Sequence, residues 1–171
     1  MPRLTKSMAV KLLTMGGTID GLEYASENDE PKNRKSLIPG LLKTAGITSD
    51  YSIEEVCFKD SRFIDGDDLE LLLDKCKKCH EQKIVITHGT MTMTETAKFL
   101  GERKLPKTIV LTGSMILGDK KNSDAPVNLS AAFKAVQMLP PNVYIAMNGK
   151  IFLWNNVRKN TRAGRFETLK E

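Results

Sequence analysis

The sequence has little cysteine and no long apolar run. Its 171 residues include three cysteines, Cys57, Cys76 and Cys79, which suit a reducing compartment without a disulfide framework. No apolar stretch approaches the roughly 20 residues that a membrane helix needs. The start of the chain has neither an apolar h-region nor a small-residue cleavage site, so we read no signal peptide. We therefore expect a cytoplasmic protein that does not bind membranes.

Metal-binding side chains are also scarce. Cys76-Lys-Lys-Cys79-His80 matches the C-x-x-C-H pattern of haem attachment and resembles half of a zinc site. The chain has only two histidines, however, and no second cysteine pair to complete four ligands. Because positions i and i+3 share a helix face, the segment is more typical of the end of an amphipathic helix. We expect no metal and no cofactor.

Charge is modestly basic, with 26 lysines and arginines against 21 acidic residues. Basic residues gather at 120–121 and over 158–165. No aromatic stripe or helix-turn-helix pattern accompanies them, so we do not expect nucleic-acid binding. The bland interpretation is a solvated surface; a second is attraction of a small anionic substrate. The hydrophobic content of 40% fits one globular domain over 1–171.

Apolar runs alternate with helix-like patterns along most of the chain. This predicts an α/β fold: a single doubly wound, mostly parallel sheet with helices on both faces. Asn148-Gly149 is a strong turn signal and adds a β-hairpin towards the C-terminus, before a polar tail over 155–171. Strands are predicted over 8–14, 51–58, 83–87, 108–112, 143–147 and 150–154. Helices are predicted over 35–45 with an interruption near Pro39-Gly40, 67–80 begun by an aspartate cap within 65–68, 92–103 with a Thr92–Glu95 capping box, and 126–138.

Four hydroxyl side chains follow the ends of predicted strands. They are Thr18, Ser61, Thr90 and Ser114. Ligands of open α/β sheets bind at that edge, so a hydroxyl-based active site is the first hypothesis. A hydroxyl is a poor nucleophile without a base.

The sequence leaves the identity of that base open. His88 lies two residues before Thr90 and would share a strand face with it, yet a core histidine is the more economical interpretation. A buried lysine with a lowered pKa is the other option, and spacing alone does not choose among the lysines. Gly16-Gly17 allows a tight turn, but Thr18 as a helix cap or the turn as a phosphate cradle also remain open.

Five motifs occur in the order that is typical of one enzyme family. Met15-Gly-Gly-Thr18-Ile and Ile86-Thr-His-Gly-Thr90-x-Thr-Met-x-Glu-Thr96 resemble the two signature motifs of the bacterial L-asparaginase/glutaminase family. Three further stretches are similar to later parts of its N-terminal domain: 110–115, 123–129 and 143–166. The likeness is greatest to the short-chain type, which lacks the usual C-terminal domain, and it extends over nearly the whole chain.

This resemblance implies an amidohydrolase that converts L-asparagine or a related amide to the acid and ammonia without a cofactor. Thr18 would be the nucleophile, assisted by Tyr24. Thr90 would position water or take part in attack, with Lys159 as its supporting base. Backbone N–H groups near Thr90 would stabilise the oxyanion.

The resemblance also implies a set of substrate-binding residues. Ser61 would hold the substrate α-carboxylate. The remaining members of the predicted binding set are Asp60, Gly89, Met91 and Ser114. In the two-domain family a neighbouring subunit closes each site, so a homo-oligomer is expected by analogy.

Two positions depart from the family pattern. Met91 stands where the family has an aspartate that binds the α-ammonium and completes a Thr–Lys–Asp arrangement, and a thioether does neither. Arg62-Phe63 replaces small or amide residues after the serine, and a guanidinium there favours a second negative charge on the ligand. Candidates to replace the acid are Asp20, Asp60 and Asp124. We thus expect low or altered activity, or alternatively an impaired relative that binds an amino acid or acidic metabolite.

Overall fold

The structure, a computed structural model, describes residues 9–22 and 35–170. The strands in chain order are β1 (Val10–Gly16), β2 (Tyr51–Lys59), β3 (Lys83–Thr87), β4 (Thr108–Thr112), β5 (Asn142–Met147), β6 (Lys150–Leu153), β7 (Arg158–Asn160) and β8 (Arg165–Glu167). The α-helices are α1 (Ile38–Thr44), α2 (Gly66–Lys78), α3 (Met93–Gly101) and α4 (Ala125–Met138). Short 3₁₀ turns cover Thr18–Asp20 and Ser61–Phe63.

Six strands form one sheet in the order β2-β1-β3-β4-β5-β6. The first five are parallel, and β6 returns antiparallel to β5. The chain leaves β1 towards β2 on one side and later enters β3 on the other. The direction of winding therefore reverses between β1 and β3, and the crevice beyond their carboxyl ends is the expected ligand position.

Both faces of the sheet are covered by helices, as the sequence predicts. One core lies under α2 and α3 and includes Leu13, Ile86 and Leu111. The other lies under α1 and α4 and includes Leu12, Val85 and Val110. Alternate residues of the central strands thus enter opposite cores, which is why these strands read as continuous apolar runs.

The predicted cap of α2 is confirmed, but that of α3 is wrong. Asp65 accepts a hydrogen bond from Asp68 N, and the Asp68 side chain accepts one from Asp65 N, which is a complete capping box. Thr92 precedes α3 without making a side-chain cap. Its hydroxyl instead donates to Ser61 O at 2.9 Å, because the end of β2 lies beside it.

Two further details differ from the sequence-based prediction. Helix α1 is not interrupted at Pro39-Gly40, since proline occupies its first turn, where a missing N–H costs nothing. The sequence predicts only a polar tail over 155–171, yet this segment contains the antiparallel pair β7–β8. Phe166, 2% exposed, packs into the core under α2 and α3 and anchors this hairpin. None of the helices in the described ranges has the length and apolar content needed to cross a bilayer.

Candidate active site

The loops after β1 and β3 touch at the crevice between these strands. A Cβ on Gly17 would lie 2.5 Å from both Gly89 N and Gly89 Cα, and Gly17 also has a φ of +87°. Only glycine permits this approach of the two backbones. The contact brings the Thr18 turn and the Thr90 turn to one cleft. The residues lining the cleft are Gly17, Thr18, Leu22, Asp60, Ser61, Gly89, Thr90 and Met91.

Thr90 is paired with a lysine from the far end of the chain. Lys159 Nζ donates to Thr90 Oγ1 at 2.8 Å, and Thr90 is only 6% exposed. Burial lowers the pKa of Lys159 below the ordinary lysine value. A lysine that loses its proton more readily, in contact with a hydroxyl, is an arrangement suited to general-base chemistry.

Hairpin β7–β8 positions this lysine. Lys159 pairs in register with Phe166, whose side chain is buried. Phe166 N donates to Asn148 Oδ1 at 3.0 Å and ties the hairpin to the turn between β5 and β6. The lysine side chain is therefore held over the carboxyl end of the sheet by backbone structure.

Met91 is the second neighbour of Lys159 at the cleft. Its Sδ lies 3.4 Å from Lys159 Nζ, and the residue is 38% exposed. A thioether is only a weak acceptor and carries no charge to stabilise an ammonium group. The lowered pKa of Lys159 is consistent with this neighbour.

Ser61 is fixed between the two loops. Thr92 N donates to Ser61 Oγ at 3.2 Å, and the serine is 2% exposed. A Cβ on Gly89 would lie 2.7 Å from Ser61 Cβ, so glycine is required for the serine to reach the cleft. Sequence reasoning missed this role of Thr92, and its assignment as a cap concealed it.

Asp60 lines the cleft but is already engaged. Its carboxylate accepts hydrogen bonds from Arg62 N at 2.9 Å, Arg62 Nε at 3.1 Å and Arg62 Nη2 at 2.9 Å. The fork geometry matches both carboxylate oxygens. Asp60 is thus the partner of Arg62, one of the residues that depart from the family pattern.

The other two candidate acids lie in structural hydrogen bonds outside the cleft lining. Asp20 is 3% exposed and accepts from Ser36 Oγ and Leu37 N, and burial raises its pKa. Asp124 accepts from the backbone N–H groups of Met115 and Ile116. Both carboxylates shape loops, so neither is placed to replace the acid that Met91 lacks.

Ser114 and Tyr24 are not brought to the described cleft. Ser114 is fully buried, and its hydroxyl donates to Ile116 O at 2.7 Å within the loop after β4. Tyr24 lies outside the described residues. The remaining predicted site residues, by contrast, either line the cleft or contact a residue that does.

His88 is a core residue of the loop that follows β3. It is fully buried, with Nε2 at 2.8 Å from Thr96 Oγ1 and Nδ1 at 2.6 Å from Gly89 O. Desolvation lowers its pKa from 6.5 to about 4. With both ring nitrogens engaged away from Thr90, its geometry favours the scaffold interpretation over that of a base.

The cysteine pair near the end of α2 has a structural environment. Lys107 Nζ donates to Cys76 O at 2.7 Å and to Cys79 O at 2.6 Å, closing the C-terminus of the helix. Among residues 9–22 and 35–170 there is no cluster of histidine, cysteine and acidic side chains able to hold a metal.

Fold and cleft together define a class: a doubly wound α/β protein with a lysine–threonine pair in the crevice where its sheet changes winding direction. The family model described as asparaginase, N-terminal, matches residues 9–171. The chain therefore belongs to the asparaginase N-terminal family.

Individual relatives agree with this assignment. The L-asparaginase of Thermococcus kodakarensis is 32% identical over 161 residues, covering 89% of this chain and 48% of the relative. A glutamyl-tRNA(Gln) amidotransferase chain from Aeropyrum pernix is 30% identical over 155 residues, covering 82% of this chain and 35% of the relative. A crystal structure of a probable cytoplasmic L-asparaginase from Campylobacter jejuni superposes with a TM-score of 0.82 at 29% identity, covering 96% of this chain and 54% of that one. The chain thus spans about half the length of the relatives named L-asparaginase.

Proposed function

We propose that the chain is an amidohydrolase that releases ammonia from a small carboxylic amide by threonine chemistry. The observation that carries this proposal is the 2.8 Å contact between Lys159 Nζ and Thr90 Oγ1, in a cleft that Thr18 also lines. Membership in the asparaginase family supports it. The same proposal treats residues 1–171 as one domain of a cytoplasmic homo-oligomer.

The proposed reaction has two steps. Thr18 Oγ1 attacks the amide carbon, and ammonia leaves as an acyl-threonine ester forms. Water then attacks the ester, releasing the acid and restoring the hydroxyl. Neutral Lys159 accepts a proton through Thr90 and activates the attacking oxygen.

Other groups of the cleft position the substrate. Ser61, at the cleft wall, is suited to bind a carboxylate of the substrate. Backbone N–H groups near Gly89 and Thr90 would stabilise the oxyanion. Tyr24 keeps its expected assisting role from the family resemblance alone. Ser114 has no part in this proposal because its hydroxyl is directed at Ile116 O.

The decisive experiment is ammonia release by the full chain from L-asparagine, L-glutamine and other carboxylic amides. We expect turnover that is lost in Thr18→Val and Thr90→Val. Thr44→Val, at an exposed threonine of α1, is the matched control and should keep turnover. Absence of turnover with every amide, at high protein concentration, overturns the proposal.

A second candidate is a binding protein without turnover. Met91 favours it, because an uncharged thioether replaces a group that would engage the lysine and the substrate. This function predicts that aspartate or a related acid raises the Tm while no amide is hydrolysed. The same assay, with Tm measurements in parallel, separates the two functions.

A further inference from the structure

The charges around the cleft are unbalanced among the described residues. Asp60 is the single carboxylate of the lining, and three donors of Arg62 already engage it. Lys159 contacts the lining residues Thr90 and Met91 from outside. The cleft therefore has two neighbouring cations, Arg62 and Lys159, and one acid whose oxygens are occupied.

Met91 decides what this imbalance means for a ligand. Its sulfur is 3.4 Å from Lys159 Nζ, so a ligand group resting on Met91 lies close to the lysine. An ammonium group at that position would face a cation across an uncharged wall, with no carboxylate to compensate it. A hydrogen atom or methylene group would fit the exposed thioether, and a carboxylate elsewhere on the ligand would be attracted by both cations.

We propose that the cleft takes a monoamide of a dicarboxylic acid that has no amino group beside its carboxylate. Met91 is the residue that sets this preference. The inference rests on the proposed function for hydrolysis, which converts the monoamide and water to the dicarboxylate and ammonia. The preference itself is a property of binding and is measured separately.

The test compares ligands that differ only in the amino group. Calorimetry on the full chain would use succinate against L-aspartate, and ammonia release would use succinamate against L-asparagine. We expect succinate to bind at least about tenfold more tightly, the ratio that follows from one unfavourable charge contact near a partly exposed lysine. Succinamate should be hydrolysed with the higher kcat/KM.

Two variants test the cause of the preference. Met91→Asp provides the missing carboxylate and should reverse the ratio in favour of L-aspartate. Arg62→Met releases Asp60 and should narrow the ratio. Met138→Asp, on an 82% exposed methionine at the end of α4, introduces the same charge change far from the cleft lining and should leave the ratio unchanged.

The outcomes separate this inference from the proposed function. L-aspartate binding as tightly as succinate, no binding of either acid at millimolar concentration, or an equal effect of Met91→Asp and Met138→Asp each overturns the inference. Absence of ammonia from every amide, together with tighter succinate binding that Met91→Asp reverses, overturns the proposed hydrolysis and supports the ligand preference.

Discussion

Lys159 Nζ and Thr90 Oγ1 are 2.8 Å apart, although 69 positions separate the two residues in the chain. The lysine comes from a short hairpin and the threonine from the loop after a central strand. Their contact joins the C-terminal segment to the crevice of the sheet. A base and a hydroxyl at this distance are the minimal elements of an activated oxygen nucleophile.

Removal of the lysine amino group tests its role as a base. Lys159→Met keeps much of the side-chain length and removes the proton acceptor, so ammonia release should fall by roughly 10²–10⁴-fold. Lys150→Met, at an exposed lysine of β6, is the matched control. Equal rates for Lys159→Met and the wild type would exclude a role for Lys159 in proton transfer.

The pH profile should depend on the protonation of Lys159. Burial lowers its pKa and the neutral amine is the base, so kcat/KM should rise with pH and reach its plateau below the ordinary lysine value. Met91→Asp places a carboxylate near the lysine, which raises the pKa and should move the rise to higher pH. Ammonia release measured across the pH range, with Met138→Asp as control, checks this; a shift to lower pH would contradict it.

Gly89 should be irreplaceable at the cleft for steric reasons. In Gly89→Ala the new Cβ would lie 2.7 Å from Ser61 Cβ and 2.8 Å from Ser61 Oγ. The loop or the serine must shift, at a cost of about 1–3 kcal/mol in the free energy of unfolding, with loss of activity. Gly40→Ala in α1 has no heavy atom within 4 Å of the new Cβ and should be neutral or stabilising by up to about 1 kcal/mol. Urea unfolding of both variants measures the difference, and equal stabilities would contradict the expected clash.

Much of the fold could be predicted because its signals are local. The apolar runs around Val85 and Val110 are continuous, since their residues enter cores on both faces of the sheet. Hairpin β7–β8 could not be predicted in this way, because Phe166 is its only fully buried apolar side chain in a polar segment. Its stability depends on a distant contact with Asn148.

The candidate site is predictable only in part, for a similar reason. The hydroxyls of Thr18 and Thr90 are marked by their positions after strands. No local pattern distinguishes Lys159 from other lysines, and only the family resemblance points to it. The pairing of Asp60 with Arg62 depends on the conformation of a 3₁₀ turn, which spacing does not specify.

His88 should make the protein less stable in mild acid. Its pKa is lowered from 6.5 to about 4 by burial, so between these values the unfolded chain binds a proton that the folded protein excludes. Stability therefore decreases as pH falls through this window, by up to about 3 kcal/mol from this residue. His88→Gln retains hydrogen-bonding capacity without titrating and should flatten that part of the stability profile. His80→Gln, at the exposed second histidine, should not. Urea unfolding at pH 7, 5.5 and 4 compares the three proteins, and the same acid dependence in wild type and His88→Gln would show that His88 is protonated in the folded state.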